Sequence, residues 1–219
     1  MSLTLSYTTT EYAPLPAGNY MAKCVQIIDL GSQEGTKFGS DETVINAKIR
    51  IVWEIPAEVS TYTDAEGVEH AKPAFIGKKF TASLHEKSNL RQTLASWRGR
   101  DFTELELEGF NLANIIGKDC LINITHIKKE DKTYVNIAAV TPMMKGQKCD
   151  DSISKQFYFD LDKFDQEIWE LLPDWLQTTI ALSPEYKSLK GSVEAEGMPE
   201  INSGDLEGEI ESAAINMGF

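Results

Sequence analysis

Seven basic residues, Lys72, Lys78, Lys79, Lys87, Arg91, Arg98 and Arg100, crowd the stretch from Ala71 to Arg100 against a single acid, Glu86. Cations at this density suit one kind of chemistry: they neutralise phosphates and release the counterions condensed on a nucleic-acid backbone. Flat rings placed among them add surfaces on which unpaired bases stack. Within the stretch, Phe75, Gly77, Lys79, Thr81 and Ser83 fall in one alternating phase, and Lys78, Phe80 and Ala82 in the other. If the first phase faces outward, it sets an aromatic and a cation beside Lys48 and Arg50 of an earlier strand.

Catalysis finds no comparable pattern. His70, His85 and His126 lack metal-ligand spacing, and no GxSxG, P-loop or GxGxxG run occurs. Cys24, Cys120 and Cys149 form no CxxC pair and no Cys/His cluster, which argues against structural zinc and a disulfide framework and fits a reducing cytoplasm. Asp160, Asp162 and Asp165 are close enough in sequence for Mg²⁺. They alternate with aromatic anchors in FYFDLDKFDQEIW, however, and read as caps and first-turn acids of short helices. The expectation is a chain with no catalytic residue, metal or cofactor.

The net charge of −13, taken as a sum, opposes a nucleic-acid ligand, but its distribution does not. Residues 1–150 hold 17 basic and 19 acidic residues, whereas residues 151–219 hold 4 and 15. From Gly191 to Phe219 there are seven acids, Glu194, Glu196, Glu200, Asp205, Glu207, Glu209 and Glu211, and no base. Such a composition cannot offset its ordering entropy by burial, so a disordered acidic tail is expected over 191–219. With Phe219 behind Glu209 and Glu211 it offers a hook for a partner protein, and its acids can compete with phosphates for a basic face. The start of the chain lacks a basic, apolar leader, and no run of 18 apolar residues is present, so neither a signal peptide nor a membrane span is expected.

Positioning falls to elements whose periods are legible. After an N-terminal arm (1–17), strands are expected at 18–30, 42–55 and 75–84. The middle one puts Ile45, Ala47, Ile49, Ile51, Trp53 and Ile55 on one face and Asn46, Lys48, Arg50 and Glu54 on the other. The residues from Pro56 to Pro73 read as a long polar connection. Ser88 caps a helix through Leu90, Leu94 and Trp97, and Gly99 stops it. Two further strands, 118–127 and 133–143, form a hairpin about Lys128–Lys132. Three strands, a helix and two strands is the order of the OB-fold, a five-stranded Greek-key barrel with its helix between strands three and four. The expected fold is therefore mainly β: an OB domain over 18–150, then a helical extension over 151–190 whose two short helices break at Pro173.

In that fold the loops joining strands one to two and four to five flank the binding face. The first carries Lys37 and Phe38. The second carries Lys128, Lys129 and Lys132, with Tyr134 opening the next strand. The expected path for single-stranded DNA thus comprises Lys37, Phe38, Lys48, Arg50, Phe75, Lys79, Lys129, Lys132 and Tyr134. Lys87, Arg91, Arg98 and Arg100 around the helix either extend it, with Lys87 and Arg91 the candidates for contact, or simply solubilise the helix.

The runs LPAGNYMAKCVQIIDLGSQ (15–33), TKFG (36–39), FTASLHEKSNLRQTLASWRGRDFT (80–103) and LPDWLQTTIALSPEY (172–186) resemble a family of bacteriophage and prophage OB-fold single-stranded DNA-binding proteins of the replication or recombination region. The acidic tail is similar to those of bacterial and phage single-stranded DNA-binding proteins, which implies recruitment of replication and recombination proteins. It departs from the bacterial pattern in ending Asn216-Met-Gly-Phe219, with no acid directly before the Phe. The resemblance implies a sequence-tolerant coat on exposed strands in the host cytoplasm, with homo-oligomers possible. The alternative is a protein–protein adaptor of a replisome or virion with no affinity for DNA.

Overall fold

The computed structural model describes residues 14–36, 42–63, 69–129 and 132–194; of residues 36, 60–63, 69, 70, 129, 132 and 192–194 it describes the backbone alone. Strands β1 (Gly18–Thr36), β2 (Thr43–Thr63) and β3 (Glu69–Thr81) come first. Helices α1 (Asn89–Arg98) and α2 (Glu104–Glu108) and a 3-10 turn at Leu112–Ile115 lead into strands β4 (Asp119–Lys129) and β5 (Lys132–Thr141). The chain continues through a short strand, β6 (Phe157–Phe159), a 3-10 turn, and helices α3 (Gln166–Leu171), α4 (Asp174–Ala181) and α5 (Pro184–Glu194).

The sheet runs in the order β3-β2-β1-β4-β5 with antiparallel ladders throughout. β4 covers the start of β1, from Gly18 to Lys23, and β6 lies parallel to its later part, Gln26 to Ile28. A closed five-stranded barrel would pair β3 with β5. No ladder joins them among the described residues, so the sheet is open between its two end strands. Contact across that gap is made by a side chain: Lys78 Nζ donates to the Ile137 carbonyl at 3.0 Å.

Three of the expected strands are longer than their patterns suggested, and β1 runs on to Thr36 instead of ending at Leu30. β2 runs on to Thr63 and β3 begins at Glu69, where a polar connection was expected. Pro56 and Pro73, the ends of that expected connection, sit where a strand tolerates them. Pro56 lies in the irregularity between the pairs Ile55↔Ala74 and Val59↔Pro73, and Pro73 lies on an end strand. Likewise α5 extends to Glu194, past the expected start of the acidic tail.

Both faces of the sheet are buried at its centre. One core gathers Ile27, Ile51, Trp53, Ile76, Phe80, Ile122, Ile124 and Ile137 from all five long strands and is covered by Leu90, Leu94 and Trp97 of α1. The cap chemistry of α1 is as expected. Ser88 Oγ accepts from the Leu90 and Arg91 amides, and Gly99 closes the helix at φ +70, a conformation glycine adopts without strain. The phase of β5 shifts midway, because a bulge opposite Asn123/Ile124 moves burial from Ile137 to Val140 and leaves Ala139 exposed. The second core lies on the opposite face. Val25, Ile28, Leu30 and Val52 meet Phe157, Phe159, Leu161, Trp169, Leu172, Leu176 and Ile180 there. The strand β1 serves both cores because successive residues of a strand point to opposite faces, and its bulge between Cys24 and Gln26 shifts the phase so that Ala22, Cys24 and Ile27 meet the first core and Val25, Ile28 and Leu30 the second.

The C-terminal helices are thus part of the sheet's packing. Polar bonds fix them. Gln33 Nε2 donates to the Thr179 carbonyl at 3.0 Å, and Glu185 accepts from the backbone and hydroxyl of Ser32. Asp160 and Asp165 cap the turn and the helix that follow them, as their spacing suggested. No helix of the described residues is long and apolar enough to cross a membrane.

Candidate nucleic-acid interface

A cleft of about 560 Å³ opens where β2, β3 and the start of α1 meet. Lys48, Lys78, Lys79 and Lys87 line it with His85, Phe80 and the polar side chains of Thr81, Ser83, Ser88 and Asn89; none of the lining residues is acidic. The strand register builds it. Lys48 stands opposite Thr81 and donates to its hydroxyl at 2.7 Å, and Arg50 stands opposite Lys79. The face that carries Phe75, Gly77, Lys79 and Thr81 is therefore the one shared with Lys48 and Arg50, as the alternation suggested. Lys78 and Phe80 come from the other face of β3 and also line the cleft, with the Lys78 ammonium 5.7 Å from the Phe80 ring centroid.

The far wall is a tied turn. Ser88 donates its hydroxyl to the Ser83 carbonyl, the Ser88 amide donates to the His85 carbonyl at 2.8 Å, and His85 Nδ1 accepts from the Lys87 amide. Crowding of like charge is felt at the rim. Desolvation first, and then repulsion from Arg50 and Lys48, lowers the pKa of Lys79. Lys79 nonetheless keeps solvent access at the cleft rim. Lys78 is lowered by desolvation alone. An anion entering the cleft relieves both.

Arg50 is not the outward cation that its place on the polar face of β2 suggested. It is 6% exposed, and its guanidinium lies over the ring of Trp175 from α4, 5.0 Å from the centroid. Burial pushes its pKa down to about 10, which leaves it charged at neutral pH. Gly77 of β3 lies under it; a Cβ there would stand 2.6 Å from Arg50 Cζ. Phe75 is partly buried against the second core rather than open. The remaining expected residues divide. Lys48, Lys79 and Lys87 line the cleft. Tyr134 is 40% exposed on β5 opposite Ile127. Lys129 and Lys132 face one another at the end of the β4–β5 hairpin. Lys37, Phe38, Glu209, Glu211 and Phe219 lie outside the described residues.

The arginines in and just after α1, Arg91, Arg98 and Arg100, are each engaged within the protein. Arg91 Nε and a terminal nitrogen grip Asp101 at 3.1 and 2.9 Å, and another nitrogen donates to the Leu84 carbonyl. Arg98 and Arg100 both engage Glu106, and the Arg98 guanidinium packs over Phe102 at 4.5 Å and Phe110 at 5.2 Å. They staple the segment after the helix to it through Asp101 and Glu106.

The sequence did not mark Lys78 as lining the cleft or Trp175 as covering Arg50. Lys78 sits in the apolar phase of β3, and Trp175 reads as a core position of an amphipathic helix. No group of His, Cys, Asp and Glu suited to a metal ion occurs among the described residues. No protein-family model matches the chain, and no curated protein sequence matches it.

Proposed function

We propose that the chain binds single-stranded DNA without sequence preference, as a non-enzymatic coat protein of phage replication or recombination. The observation that carries this reading is the cleft of Lys48, Lys78, Lys79 and Lys87, lined by hydroxyls and an aromatic and by no acid, on a protein whose net charge is −13. In a chain so acidic, an uncompensated concentration of cations on one edge attracts polyanions locally whatever the total charge.

The strand order supports an OB-type architecture for this role. β1 pairs with β2 and β4, the helix lies between β3 and β4, and all five long strands feed one core. In that reading the Lys78–Ile137 bond stands where strand pairing would complete the barrel. The phage origin rests on the resemblance of residues 15–190, and recruitment of partners through Glu209, Glu211 and Phe219 on the resemblance of the acidic segment.

Fluorescence anisotropy of labelled oligo-dT across a salt series tests the proposal. Binding should be strong at low salt, and log K should fall linearly as log salt rises. No salt-sensitive shift would refute it and favour the adaptor reading.

A further inference from the structure

Of the four tryptophans, Trp53, Trp97 and Trp169 are 0%, 5% and 6% exposed, and Trp175 alone is only half-buried. The setting of Trp175 is unusual for a surface aromatic. Its ring lies against the Arg50 guanidinium, and the guanidinium lies on the bare backbone of Gly77. Any side chain at Gly77 would lift Arg50 from the strand. Backbone, guanidinium and indole therefore form a layered stack. The Gln177 side chain fixes the helix carrying the indole, donating to the Trp169 and Leu172 carbonyls at 2.8 and 3.1 Å. Lys79 stands opposite Arg50 in the ladder and feels its charge, and Lys48 follows two residues along the same face of β2.

We propose that the open part of the Trp175 ring is a stacking platform for one base of a single strand, whose phosphates continue along Lys79 and Lys48 into the cleft. The inference rests on the DNA-binding reading above and adds to it a contact from the C-terminal helices, outside the β-strands. A ring already held in place loses little freedom on binding, and stacking accepts any base because each presents a π-face. Arg50 keeps the platform rigid and adds positive potential beneath it, without touching phosphate itself.

The experiment follows two signals in one titration of the full chain with labelled oligo-dT: anisotropy of the label and intrinsic tryptophan fluorescence. Because the other three indoles are buried, quenching reports Trp175. Wild type should quench in step with the anisotropy rise. Trp175→Phe, which retains a ring over Arg50, should bind without that quench. Trp175→Ala should weaken oligo-dT roughly tenfold, yet bind an abasic strand of equal length as wild type does. Binding without quenching, a quench that survives in Trp175→Phe, or equal weakening on the abasic strand would overturn the platform while leaving DNA binding intact. No anisotropy change with wild type removes both proposals together.

Discussion

The Lys78 ammonium donates to the Ile137 carbonyl at 3.0 Å and so joins β3 to β5, the two ends of the sheet. Lys78→Met keeps an apolar stem over Phe80 and removes the donor. The Ile137 carbonyl then loses a charged partner, a change of about 1–2 kcal/mol. Urea unfolding should show that loss, with helix and strand content by circular dichroism unchanged. A wild-type midpoint in the variant would deny the bond any part in joining the strand ends.

What was legible in the sequence was local. Ser88 and Gly99 mark α1 because capping is decided within a few residues, and the Ile49–Ile55 alternation marks β2 because one face of it meets a core. What was illegible depends on tertiary partners that no local pattern names. Arg50 looks outward by alternation, and its burial follows only from helices that return over β1 and β2. Pro56 and Pro73 stop a strand only where a ladder needs their missing amide, which the sequence alone does not reveal. The roles of Arg91, Arg98 and Arg100 required knowing that Asp101 and Glu106 fold back on α1. Within the candidate site, Lys48 and Lys79 were readable from phase, while Lys78 and Trp175 were masked by apolar neighbours.

Glu54 is fully buried and accepts from the backbone amides of Ile153 and Ser154 at 2.6 and 3.0 Å. It thereby pins the connection between β5 and β6 to the centre of β2. Glu54→Ala leaves two amides without partners and a cavity, and should cost about 3 kcal/mol in urea unfolding. It should also speed proteolytic cleavage between residues 142 and 156 in the folded protein. Unchanged cleavage would show that the connection is held by something else.

Acid should loosen the segment after α1 first. Arg100 chiefly, with the Thr103 amide and Arg98, holds the Glu106 carboxyl far below its ordinary 4.5, and Arg91 chiefly holds Asp101 below its ordinary 3.8. Folded-state values below unfolded ones mean that the unfolded chain binds more protons as pH falls. The stabilisation is therefore complete above about pH 5 and is lost progressively below it. Glu106→Gln should be less stable than wild type at pH 7, and the difference should shrink on acidification from pH 5 to 3. A constant difference across that range would contradict the pairing.

The acids beyond α5, Glu196, Glu200, Asp205, Glu207, Glu209 and Glu211, carry no compensating base. If they compete with phosphate for the lysine cleft, a chain cut after Glu194 should bind oligo-dT more tightly at low salt and equally at high salt, where the competition is screened. Equal affinity at low salt would remove that role.

The division of the cations into free and committed ones makes the sharpest contrast. Lys79 is exposed on the cleft rim, whereas the Arg91 side chain is 17% exposed and forked onto Asp101. A lysine that contacts phosphate releases about 0.7 of a counterion from a single strand, and that release sets the slope of log K against log salt. Lys79→Gln should therefore weaken oligo-dT binding at every salt below about 0.3 M and flatten the slope by about 0.7, with Lys48→Gln behaving alike. Arg91→Gln should leave the slope as in wild type and lower the urea-unfolding midpoint instead, because it frees Asp101 and the Leu84 carbonyl. The two losses fall in different measurements because the two cations have different partners. A slope lowered by Arg91→Gln and untouched by Lys79→Gln would place the phosphate path along α1 and not across the β2–β3 edge.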